Sequence, residues 1–84
     1  MTPIRLSDHA RFSLRERGGT EDEVVDAIRS RPWLAADHGR MECRKTFWSD
    51  FTWKGRMYRA KKVRPIFVET SREIVVVTVI IYYF

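Results

Sequence analysis

One cysteine, two histidines, three prolines and four glycines are all that this 84-residue chain holds of those types, and each shortage excludes something. A lone thiol, Cys43, cannot close an internal disulfide, so a core must hold the fold, and a reducing compartment is the simpler expectation. Gly18-Gly19 follows a helical stretch rather than a strand, so the pair reads as a helix stop and not as a phosphate-binding loop. His9 and His38 lie far apart and Cys43 has no cysteine partner. No metal-ligand spacing results, and neither a metal nor a cofactor is expected. No apolar run approaches the roughly 20 residues of a membrane-spanning helix. The opening Met1 to Asp8 has no apolar stretch of signal-peptide length, so a cytoplasmic protein without membrane contact is expected. No repeat, linker or low-complexity tract appears, and residues 1–84 read as one domain.

What is present begins with charge. Sixteen basic against 11 acidic residues give a formal net charge of +5, which favours anionic partners without choosing among RNA, DNA and acidic protein. Within Glu73 to Phe84, Ile74 to Ile81 holds seven β-branched aliphatic residues interrupted only by Thr78, and predicts a strand apolar on both faces. Toward the amino end, Thr2 to Leu6 suits a short edge strand. Ser7 is an N-cap for a helix running to about Arg17. Thr20 with Glu23 forms a capping box for a second helix, which Pro32 ends near Ser30 or Arg31. Trp33 to Arg40 reads as a connector. Met41 to Trp48 reads as a strand that Ser49-Asp50 breaks, Lys54-Gly55 as a hairpin turn, and Pro65 as a division of the strand that follows. The expected fold is α+β, with two N-terminal helices packed on a three- to four-stranded antiparallel sheet.

Candidate chemistry starts at His9. At 100° per residue, His9, Ser13 and Arg17 lie within about 80° of one another on the first helix, beside the core-facing Ala10 and Leu14. That row would look along the helix-sheet seam toward the last strand. In RNA cleavage by attack of the 2′-hydroxyl on the adjacent phosphate, a histidine can move the protons near neutral pH. Arg17 can stabilise charge on the phosphate oxygens, and Thr78, Tyr82 or Tyr83 can orient the phosphate or share in proton transfer. Arg44, Lys45, Arg59, Lys61, Lys62 and Arg64 alternate with aromatic residues in the sheet region, and Arg11 sits on the far side of the first helix. These are the candidate phosphate contacts. Trp33 and Trp48 are the rings expected at the surface. A half-buried, merely structural His9 fits the same pattern, as do a non-catalytic nucleic-acid-binding module and a protein-interaction or inhibitor domain.

Ser7-Asp8-His9-Ala10-Arg11, then Leu14, Arg17-Gly18, Thr20, Glu23-Val24 and Ala27-Ile28, resembles the opening of the small DUF4258 domains. Val75-Val76-Val77-Thr78-Val79-Ile80 resembles their closing strand. The resemblance implies the barnase, colicin and RelE type of ribonuclease toxin fold and metal-independent endoribonuclease activity. It implies catalytic roles for His9, Arg17 and Thr78, an RNA substrate that is free or ribosome-bound, and a cognate antitoxin protein. One position departs, since Ser13 stands where that family often has arginine.

Overall fold

The computed structural model describes Met1–Phe84 throughout. In chain order the elements are β1 (Ile4–Leu6), α1 (Asp8–Arg17), α2 (Glu21–Ser30), β2 (Leu34–Ala35), a 3-10 turn (Asp37–Gly39), β3 (Met41–Glu42), β4 (Lys45–Trp53), β5 (Arg56–Glu69) and β6 (Ile74–Tyr83). Local chemistry sets the helix limits. The Ser7 hydroxyl accepts from the Ala10 amide at the start of α1, and Gly18 closes that helix in the left-handed region at φ 74°. Thr20 and Glu23 exchange the two hydrogen bonds of a capping box at the start of α2. Lys54 and Gly55 both have positive φ, as a two-residue hairpin turn requires.

The sheet has six strands in the order β1-β6-β5-β3-β2, with β4 also paired to β5. It is therefore larger than the expected three or four strands, and it is mixed, because β1 runs parallel to β6. The unexpected strands β2 and β3 are two residues each and pair as a local hairpin, Leu34 opposite Glu42 and Ala35 opposite Met41, inside the stretch read as a connector and the start of the next strand. The expected edge strand β1 has a distant parallel partner, Ile4 lying opposite Ile74. Two expected breaks are absent. At Ser49-Asp50, β4 bulges, its register slipping between Trp48 and Phe51, and the strand continues. Pro65 stays inside β5. Its carbonyl accepts from the Cys43 amide, so its ring nitrogen faces the gap between β3 and β4, where no ladder partner is lost.

Both helices pack on one face of the sheet, α1 against β6 and α2 against β5. Leu14, Val24, Ile28, Val63, Phe67, Val76 and Val79 form the centre of the single core. Trp33, expected at the surface, packs edge-on against Phe67 at 5.0 Å and donates its indole N–H to the Ile28 carbonyl. Cys43 is fully buried, and burial pushes its thiol up to about 11, which makes it inert as a nucleophile near neutral pH.

One charged group joins the layers. Lys61, only 5% exposed, donates to the Gly18 carbonyl at 3.0 Å and to both Glu23 oxygens at 3.1 and 2.9 Å. It meets the end of α1 and the capping carboxylate of α2 at once. Its alternation with Ala60 and Lys62 puts it on the helix-covered face, so the expectation that it contacts phosphate gives way to a structural role. Losing one partner of such a pair strands the other charge away from water. Lys61→Ala is expected to cost about 3 kcal/mol or more in urea unfolding. Arg11→Ala, which removes an exposed ion pair to Glu21, should cost less than about 1 kcal/mol.

Candidate functional site

Strand alternation divides the expected site residues among distinct surfaces. On β6 the helix-covered face carries Val79, Ile81 and Tyr83, paired with Pro65, Val63 and Lys61 of β5. The opposite face carries Ile80, Tyr82 and, beyond the strand, Phe84. Near Ile66 and Phe67 the register slips, so that β6 holds an extra residue around Val77. The bulge lies where β1 ends and α1 begins. There the Ser7 hydroxyl donates to the Val77 carbonyl at 3.1 Å, and the Ser13 and Thr78 hydroxyl oxygens stand 3.4 Å apart. One turn further along α1, the Arg17 guanidinium donates to the Val79 carbonyl at 2.8 Å on the outer edge of β6.

The α1 row therefore does run along the seam toward the last strand. Ser13 is buried against Thr78, Arg17 is exposed and anchored by one of its five N–H donors, and His9 is exposed at the amino end of the row. Phe12, exposed and three residues beyond His9, flanks it and was not among the expected residues. No concavity of the molecule is lined by His9, Arg17 or Thr78. Tyr82 does not join them. Alternation sends it to the other side of the sheet, beside Arg64. The tyrosine that touches α1 is Tyr83, which donates to the Arg17 carbonyl at 2.7 Å. Its ring stacks on Trp53 at 5.5 Å and lies 5.4 Å from Tyr58. Burial, with Glu23 nearby, raises its phenol above the ordinary value.

The remaining basic residues also separate. Arg11 pairs with Glu21 on the helix surface. Lys45 crosses to α2, binding Asp26 at 2.8 Å and the Ser30 hydroxyl at 3.2 Å. Arg64 binds Glu42, and Arg44 lies 3.8 Å from the same carboxylate. Arg59 is exposed near the hairpin end of β5. Lys62 lies on the uncovered face of the sheet, its ammonium 5.6 Å from the Phe84 ring centroid. The second histidine, His38, lines a shallow polar concavity with Asp37, Arg40, Glu42 and Arg64. No three His, Cys, Asp or Glu side chains come together as a metal-binding group, and no helix is long and apolar enough to cross a membrane.

Comparison of the chain with protein-family models, with curated proteins and with solved structures returns no match. The site residues therefore rest on their chemistry and placement.

The Arg64 hydrogen bond holds the Glu42 carboxyl below the ordinary carboxylate value of 4.5. The unfolded chain then takes up a proton there at higher pH than the folded one. The pair's contribution is whole above about pH 4.5 and is lost as pH falls through the lowered folded value. Stability measured against pH should decline on that acid limb, and Glu42→Gln should flatten the decline while lowering stability at neutral pH.

Proposed function

We propose that the chain is an endoribonuclease toxin of RelE/barnase-like fold, akin to the DUF4258 domains, which cleaves RNA without a metal. The observation that carries this reading is the row His9, Ser13 and Arg17, with Ser13 against Thr78 beside the β6 bulge and Arg17 against Val79 just beyond it. In the reaction, the 2′-hydroxyl oxygen attacks the adjacent phosphorus and the bond to the 5′-oxygen breaks. A 2′,3′-cyclic phosphate and a 5′-hydroxyl result. His9 moves the protons, and its exposure leaves it open to a polymer arriving from solvent. The free N–H donors of Arg17 meet the non-bridging oxygens while its bond to Val79 keeps the guanidinium from wandering. The Thr78 hydroxyl orients the phosphate, and the buried Ser13 hydroxyl, 3.4 Å away, holds that of Thr78 in place. Tyr82, on the far side of the sheet, has no part in this step.

A toxin of this kind works with an antitoxin. The outer edge of β4 supports such a partner, since that strand pairs only with β5 and its other edge is free for strand addition. A second reading, nucleic-acid binding without cleavage, is favoured by the lack of any concavity at His9, Arg17 or Thr78.

Labelled single-stranded RNA and translating ribosomes, each in excess EDTA, test the first reading. Wild type should cut at least one of them. His9→Ala should lower the rate by about 100-fold or more, Arg17→Ala should lower it with partial rescue by Arg17→Lys, and Tyr82→Phe should stay within a few-fold of wild type. Failure of the folded wild type to cut either substrate contradicts the reading.

A further inference from the structure

The helices cover one face of the sheet and leave the other open, and side chains line up across that open face in rows. Trp48 pairs with Ala60, and Ala60 exchanges backbone hydrogen bonds with Phe84 at 2.9 and 3.0 Å. The three residues thus form one row across β4, β5 and the chain end. Ala60 is buried at 1% exposure, while Trp48 and Phe84 on either side are 77% and 55% exposed. Two large rings therefore stand free around a small floor. The next row, two residues along, is Thr46, Lys62 and Tyr82. It lies about 7 Å away at the rise of an extended chain.

That second row opens into a concavity at the rim of β4, lined by Arg31, Arg44, Lys45, Thr46 and Lys62 and by no apolar or acidic residue. Four cations converge there. The carboxylates within ion-pair reach of them are Asp26 on Lys45 and Glu42 on Arg44, which leaves Arg31 and Lys62 uncompensated. Convergent cations at the mouth of an aromatic surface match a polymer that carries one phosphate for every base. Arginine forks grip the phosphate oxygens, and aromatic faces stack on unpaired bases whatever their sequence. A wholly apolar partner would leave this charge unpaired, and a duplex would hide its base faces from Trp48 and Phe84.

We propose that this pocket binds a backbone phosphate of single-stranded RNA and that Trp48 and Phe84 stack neighbouring bases, so that the open face is a docking platform separate from the His9 seam. The choice of RNA over other single strands rests on the reading of the seam as a ribonuclease site. The binding itself does not.

Fluorescence anisotropy of a short labelled single-stranded RNA, measured over a salt series, tests the platform with wild type, Trp48→Ala, Phe84→Ala, the double variant Arg44→Gln/Lys62→Gln, and the control Arg15→Gln. These side chains lie outside the core, and thermal unfolding checks that each variant is folded. Trp48→Ala and Phe84→Ala should each weaken binding about ten-fold. The double variant should weaken it at least ten-fold and lower the slope of log affinity against log salt by about 2. Arg15→Gln, on the outer helix surface, should bind like wild type. Wild-type affinity in all of the open-face variants overturns the proposal, even where cleavage occurs. RNA that does not bind, while an acidic peptide does and loses affinity in the same variants, overturns it in favour of a protein interface. RNA binding that depends on the open face, with no cleavage by wild type, supports the platform and contradicts the nuclease reading alone.

Discussion

The architecture turns on the ammonium of Lys61. It leaves the middle of the longest strand on the covered face and ends where α1 stops and α2 begins, bonded to the Gly18 carbonyl and the Glu23 carboxylate. Glu23 at the same time closes the capping box of α2. One side chain thus satisfies an unpaired helix-end carbonyl, neutralises a half-hidden carboxylate and fixes the helical hairpin against the sheet. Tyr83 works beside it, its hydroxyl on the Arg17 carbonyl and its ring against Trp53. Gly18 fits this junction because a Cβ there would meet the Tyr83 hydroxyl at 2.6 Å and the Trp53 ring at 2.7 Å.

From that anchor the two surfaces of interest follow. Because the end of α1 is held at Gly18, the row His9, Ser13 and Arg17 lies along the outer edge of β6, and the β6 bulge brings Thr78 up to meet Ser13. Because both helices are drawn to the same face, the other face keeps its aromatic rings and cations in water. On the proposed reading the seam supplies proton transfer and charge stabilisation while the open face supplies grip, and their separation lets binding and chemistry be altered independently.

What was legible in the sequence was mostly local. Ser7, the Thr20-Glu23 pair, Gly18 and Lys54-Gly55 act on residues a few positions away, and the structure has those caps and turns where they were expected. The β-branched run of β6 was equally plain. The alignment of His9, Ser13 and Arg17 along the seam followed from helical period alone. Long-range pairing was hidden. Nothing in Ile4 to Leu6 announces a parallel partner some 70 residues away, and nothing in Pro65 reveals that its missing donor faces a gap between two strands. Lys61 looked like any basic residue in a basic strand, because only tertiary placement puts a carboxylate and a carbonyl around it. Tyr82 and Tyr83 were interchangeable until pairing with Lys62 and Lys61 assigned them to opposite faces. Arg31 joined the cation pocket only through the fold, which carries the end of α2 to the β3–β4 crossing.

The central functional claim is that RNA meets this molecule along the β6 seam and across the open face, and not on the outer helix surface. Amide chemical-shift mapping by NMR, with a short single-stranded RNA titrated into the folded protein in EDTA, tests it most directly. The account predicts the largest shifts at Thr46, Trp48, Lys62, Phe84 and along Thr78-Val79, with small ones at Arg15 and Glu21. Shifts confined to the outer helix surface, or none at saturating RNA, would contradict it.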